Sequence, residues 1–150
     1  MDGSDRGETL LELVVAVMIM SIALVAVVSS VGVGILVSDI HRKQATAGAY
    51  VRDFAETIQN AVAGGGYVEC AGTASYGSPA GFTPPSGYTN SVLAVKYWNG
   101  TGWQPGCATD TGLQQLTLEV RSDDTRTAAQ VTERLVVVLR KPCRPADPAC

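Results

Sequence analysis

Residues 7–37 read GETLLELVVAVMIMSIALVAVVSSVGVGILV, and from Leu13 through Ser38 no side chain carries a charge. A helix that crosses the hydrocarbon core needs roughly 20 apolar residues. At 1.5 Å per residue, Leu13 to Val37 reaches about 38 Å. The stretch is therefore expected to span a bilayer once, with lipid around it. The rival, a core helix of a soluble protein, fails on size, because the roughly 110 residues left over are too few to wrap it. Ser29, Ser30, Gly32 and Gly34 weaken the far end of the helix, and small residues there let a second helix approach closely. One charged residue, Glu12, stands at the mouth of the run.

Glu12 has a local explanation. Thr9-Leu10-Leu11-Glu12 has the spacing of a capping box, in which Thr9 accepts from the amide of residue 12 and Glu12 reaches back to the amide of residue 9. That reading starts the helix at Thr9. Residues 1–7, MDGSDRG, hold two acids and one arginine. A secretory signal peptide needs a positive start and an apolar stretch of about 7–15 residues. The leader and the long run after it do not fit that description.

Beyond Asp39 the pattern becomes amphipathic. Ala47, Tyr50, Val51, Phe54, Ala55, Ile58, Ala61 and Val62 recur at helical spacing, with Arg52, Asp53, Glu56, Gln59 and Asn60 on the other face. No proline or turn cluster interrupts the run. One helix from Thr9 to near Ala63 is expected, with a membrane segment over residues 8–38 that is apolar all round from Leu13, and an amphipathic half over 39–63. Gly64-Gly65-Gly66 should stop it.

Residues 67–90 read as loop, with one short extended piece at Tyr67 to Cys70. Thr89–Trp98 and Leu113–Arg121 alternate as strands, and Glu133–Lys141 is a more fully apolar strand. Asn99-Gly100 signals a hairpin turn of the primed type, and Ser122 to Arg126 a polar turn. Strands joined by short loops suggest an antiparallel sheet. Its inner face should pack on the helix stripe, which gives an α+β fold with a loop and antiparallel-sheet domain over residues 64–150.

The cysteines, Cys70, Cys107, Cys143 and Cys150, all follow the apolar run, at spacings of 37, 36 and 7. No C-x-x-C pair is present, which argues against zinc or thioredoxin-like chemistry. An even count in a small domain beyond a membrane anchor suggests disulfides and an oxidising compartment. Cys70 with Cys107 and Cys143 with Cys150 is the favoured pairing, although three connectivities are open and four unpaired thiols are the alternative.

Other residues invite chemistry and are better read otherwise. His41, the only histidine, lies at the membrane edge, so the C-terminal part has no imidazole base and an enzyme is not expected. Tyr97, Trp98 and Trp103 flank a hairpin tip, where cross-strand packing competes with ligand binding. Asp110, Asp123 and Asp124 lack the calcium-loop spacing and suit turns. Asn99-Gly100-Thr101 matches a glycosylation acceptor but also makes the turn. Arg121, Arg126, Arg134, Arg140, Lys141 and Arg144 are offset by Glu119, Asp123, Asp124, Glu133 and Asp147. With a net charge of −3, no nucleic-acid face is indicated. No metal and no cofactor are expected.

The segment Gly7-Glu8-Thr9-Leu10-Leu11-Glu12-Leu13-Val14-Val15-Ala16 resembles the prepilin signature of type IV pilins and type II secretion pseudopilins. In that family a short leader ends in glycine, a cleavage point follows, and a glutamate stands fifth in the mature chain before a long apolar helix. The resemblance implies cleavage between Gly7 and Glu8 by a prepilin peptidase and N-methylation of Glu8. It also implies a pilin-like fold, an inner-membrane assembly platform, and other pilin subunits as partners. Glu12 would pair with the N-terminus of a neighbouring subunit and set register. The chain departs from the family at Glu8, where phenylalanine is usual, and in lacking a proline midway along the apolar helix.

Topology is where two signals disagree. Arg42 and Lys43 follow the apolar run while only Arg6 and the initial amine precede it, so the positive-inside rule would leave the C-terminal part in the cytoplasm. The processing signature and the cysteines imply an extracytoplasmic domain, later part of an extracellular filament, and that reading is preferred. The rival function is a single-pass anchored extracellular domain that binds a ligand and never polymerises.

Overall fold

The computed structural model describes residues 5–126 and 129–143. Residues 1–4 of the expected leader, Arg144 and Asp147, and Cys150 lie outside them. Helix α1 runs Asp5–Ala61. Thr9 therefore sits inside the helix rather than at its N-cap, and the capping-box reading of Thr9 and Glu12 is corrected. Arg6, Glu8, Leu10 and Leu11 are good helix formers, so the helix extends past the threonine instead of stopping at it.

The chain divides into two compact units, Met1–Asp39 and Ile40–Cys150. Among the described residues the first is helix alone. Its large apolar side chains, from Leu10 to Val37, are 40–71% exposed. Ser21 Oγ donates to Met18 O and Ser30 Oγ to Val27 O, each at 2.8 Å. These hydroxyls are satisfied within the helix, as an apolar surrounding requires. The helix is long and apolar enough to cross a membrane.

The second unit is α+β. Strands β1 (Tyr88–Trp98), β2 (Trp103–Gln104), β3 (Leu113–Ser122) and β4 (Thr132–Arg140) form one antiparallel sheet in the order β2-β1-β3-β4. The sheet thus has four strands where three were expected. The extra one, β2, is too short to show alternation. Ala47, Val51, Phe54, Ala55, Ile58 and Val62 from α1 and the turn after it form the core with Val92, Val95, Tyr97, Leu116, Leu118, Val120 and Leu139 from the sheet. Ala61 is exposed and drops out of the expected stripe.

In β1 the inward residues change parity, from Val92 to Val95 and Tyr97. Val92 pairs with Leu118 and Ala94 with Thr117, so Leu93 is the extra residue of a bulge. That resolves whether Ala94 or Val95 faces inward: Val95 is buried, and Leu93 is left exposed.

At the helix end, a π-turn over Val62–Gly66 follows Ala61, and Gly65 takes φ +101°. A Cβ on Gly66 would come within 2.9 Å of Ala61 O. Both glycines therefore stop the helix by conformation, as expected. Tyr67 to Cys70 is not a strand. It is an irregular segment ending in a turn, followed by a 3-10 turn at Thr73–Tyr76 that periodicity does not reveal. The proline-rich loop then folds back on α1. Phe82 stacks on Phe54 with centroids 4.9 Å apart, and Tyr88 lies 6.2 Å from Tyr50.

Candidate functional site

Gly7 and Glu8 lie within α1. Four residues on, Glu12 is exposed. No hydrogen bond or ion pair joins it to another described residue. Its immediate neighbours Leu10, Leu11, Leu13, Val14 and Val15 are all exposed apolar side chains. A carboxylate with no partner on an apolar helix is costly to remove from water. This N-terminal stretch therefore presents a large apolar surface with one acceptor-only group near its start.

The second concentration of polar chemistry is in the sheet unit. Cys70 and Cys107 are disulfide-bonded. Cys143 is also disulfide-bonded, while its expected partner Cys150 lies outside the described residues. Beside the first bridge, Asp110 accepts four hydrogen bonds. Tyr67 Oη and Gly112 N donate to Oδ1 at 2.7 Å each, Cys70 N to Oδ2 at 2.8 Å, and Gln114 Nε2 to Oδ2 at 2.7 Å. Gln114 also donates to Val68 O at 2.8 Å and accepts from Tyr76 Oη at 3.2 Å. Tyr97 Oη reaches Ala71 O at 2.6 Å. These bonds tie the 67–76 segment to the sheet. They also hold Cys70 at φ +50°, a left-handed conformation uncommon outside glycine.

The electrostatics follow from this arrangement. Burial would raise the Asp110 carboxyl, but the four donors outweigh it and hold it below its ordinary value. Burial, and then the bond to the Asp110 carboxylate, push the Tyr67 phenol far above its ordinary value. Burial likewise raises Tyr76, against the Val68 amide, which lowers it. Cys70, Cys107 and Asp110 are the one group of metal-ligating residue types that comes together among the described residues. With both sulfurs oxidised and both carboxylate oxygens accepting hydrogen bonds, the group is a structural joint.

Sequence reasoning names Asp110 but not Gln114, Tyr67 or Tyr76. The signal was available at Gln114. It shares inward parity with Leu116 and Leu118 and is fully buried, and a polar residue at a core position of a strand needs buried partners.

Asp124 and Asp123 serve turns and contacts between elements. Asp124 pairs with Lys43 of α1 at 2.6 Å and with Arg126 at 3.3 Å. The Arg126 and then the Lys43 hydrogen bonds hold its carboxyl far below the usual range. Asp123 accepts from Thr89 Oγ1 at 3.3 Å. Arg134 pairs with Glu119 and Lys141 with Glu69. His41 is exposed on α1.

At the hairpin tip Trp98 and Trp103 pair across β1 and β2, edge to face, with centroids 5.4 Å apart. Asn99 Oδ1 accepts from Thr101 N, Thr101 Oγ1 and Gly102 N. Asn99 N donates to Gly102 O at 3.2 Å, so the turn is centred on Gly100-Thr101, one residue beyond the expected pair. A cavity of about 270 Å³ beside the tip is lined by residues that include Trp98, Gln104 and Thr111. Comparison of the chain with protein-family models, with curated proteins and with solved structures finds no match.

Proposed function

We propose that the chain is a structural subunit of a type IV pilin-like or pseudopilus filament, polymerised through its N-terminal helix. The observation that carries this reading is the exposed, uncharged helix surface with a partnerless Glu12 at its mouth. An apolar rod of this length is stored in lipid until other rods of the same kind replace the lipid. Packing α-helices side by side then buries the apolar surface again, and Ser29, Ser30, Gly32 and Gly34 allow close approach.

Cleavage between Gly7 and Glu8 by a prepilin peptidase generates a new amino group at Glu8, the site of N-methylation. That cation, on one subunit, is the partner that Glu12 of the next lacks. Pairing the two removes the cost of a lone carboxylate among apolar helices and rewards only one axial register. An inner-membrane assembly platform would extract the subunit. The Cys70–Cys107 bridge suits an extracytoplasmic location for the sheet unit.

The test is the mass of the mature N-terminus of the protein purified from membranes. A chain that begins at Glu8 supports the reading, and an intact leader supports a simple anchor. The cavity beside Trp98 favours a second reading, in which an anchored extracellular domain binds a ligand without polymerising.

A further inference from the structure

Two hydrogen bonds show which backbone groups of β4 face outward. Ser122 N donates to Val131 O at 2.9 Å just before the strand, and Lys141 N to Gly112 O at 2.8 Å just after it. Between them the register with β3 runs without a shift, from Arg121 opposite Thr132 to Leu113 opposite Arg140. In an antiparallel ladder the bonded pairs alternate with unbonded ones. The odd-numbered residues of β4 therefore bond to β3. The N–H and C=O groups of Thr132, Arg134, Val136, Val138 and Arg140 point to the open edge. No described residue bonds to them. The opposite side of the sheet is made by β2, two residues long, and by the rest of β1, where Asn90 Nδ2 donates to Gly77 O; β4 is the edge whose outward groups have no bonded partner among the described residues.

The sequence along that edge is self-complementary. Glu133 to Lys141 reads ERLVVVLRK, the same from either end except that glutamate at one end answers lysine at the other. An antiparallel second copy centred on Val137 sets Leu135 opposite Leu139, Val136 opposite Val138, and Val137 opposite its own counterpart. Glu133 then faces Lys141, whose ammonium also meets Glu69. Even-numbered residues oppose even-numbered ones, as the outward groups require. A shift to the adjacent permitted register sets Arg134 or Arg140 against valine and Glu133 or Lys141 against leucine, so the pattern selects one alignment. Its one unfavourable contact is Arg134 opposite Arg140, and Glu119, 2.8 Å from Arg134, places a carboxylate in the same row. On the outer face the pairing covers Val136 and Val138, which are 56% and 47% exposed.

We propose that β4 pairs antiparallel with β4 of a second copy of this chain, joining two four-stranded sheets across their open edges. The contact is isologous and closes with two copies. It links chains in pairs without extending a filament, and it holds or fails independently of the filament reading.

The test uses the full chain in detergent micelles. Val137→Cys lies at an unbonded position of the new pair, where Cα atoms sit about 4.5 Å apart, within disulfide reach. Mild oxidation is expected to give a disulfide-linked dimer as the main species. Adding Val136→Pro removes an outward N–H without touching the ladder to β3, and should cut the dimer by about tenfold. Because Val137 is partly buried, a second pair of variants guards against misfolding. Val136→Cys chains mixed with Val138→Cys chains should cross-link to each other in preference to themselves. The proposal is overturned if folded Val137→Cys chains stay monomeric on oxidation, if the mixed chains do not link preferentially, or if Val136→Pro leaves the cross-link unchanged, since the last would mean that the apolar helices alone bring the chains together.

Discussion

Gln114 Nε2 lies 2.7 Å from Asp110 Oδ2 and 2.8 Å from Val68 O, so one buried amide joins the start of β3 to the segment that leaves the helix. Asp110 is the acceptor on which Tyr67, Cys70, Gly112 and Gln114 converge. Asp110→Ala strands these donors. We expect a loss on the order of 3 kcal/mol, read by urea unfolding of the full chain in detergent, with the disulfide intact. A loss below about 0.5 kcal/mol would mean that water replaces the carboxylate.

Stability should depend on pH at both ends. Asp110 and Asp124 are held below their ordinary value of 3.8. Groups with a depressed folded value stabilise the fold above the unfolded value, and that contribution is lost as pH falls through the folded one. Urea midpoints should therefore be flat near neutrality and drop once pH goes below about 4. Tyr67 is raised above 10.0, so its contribution is complete below that pH and fades as pH climbs beyond it. Asp110→Asn should remove part of the acid dependence. An unchanged acid profile would show that other carboxylates carry it.

The Cys70–Cys107 bridge closes a loop with a sequence separation of 37. Restricting the unfolded chain over that length is worth about 4 kcal/mol in the chain-entropy description. Replacing both cysteines by serine should lower thermal stability by about that amount, and reduction of the native chain, which also opens the Cys143 bridge, should lower it at least as far. Because the hydrogen bonds of Asp110 hold the same segment, the double replacement should retain the sheet by circular dichroism.

Phe54 is fully buried and stacks on Phe82. Phe54→Ala leaves a cavity under the proline-rich loop and should cost about 4 kcal/mol. Phe82→Ala, at a half-buried position, should cost less and should speed proteolysis of the loop between Gly77 and Gly87. Equal costs would mean that the loop is as tightly held as the core.

Much of this architecture could be read from residue spacing, and the misses have identifiable physical causes. The long helix shows in the unbroken apolar run and the stripe after it, and the glycine triplet marks its end. Thr9 misled because a cap signature has force only where propensity falls off, and Arg6, Glu8, Leu10 and Leu11 continue the helix. Alternation locates β1 and β3, and a more fully apolar run locates β4, yet the bulge at Leu93 shifts parity in a way that only cross-strand pairing reveals. Strand β2 exists because the Asn99 turn returns the chain to β1, and two residues have no period. Of the polar network, Asp110 stood out as an acid, while Gln114 belonged to an inward row and went unread. Glu12 and the uncharged run were legible from the first residues, because charge and hydropathy need no fold to be seen.

The central claim is that Glu12 serves assembly rather than insertion. The measurement is the amount of Glu12→Ala chain in sheared surface filaments, set against its amount in membranes and the mass of its N-terminus. The account predicts normal insertion and cleavage, with the variant absent from filaments or reduced by at least about tenfold. Incorporation of the cleaved variant at the wild-type level would contradict it.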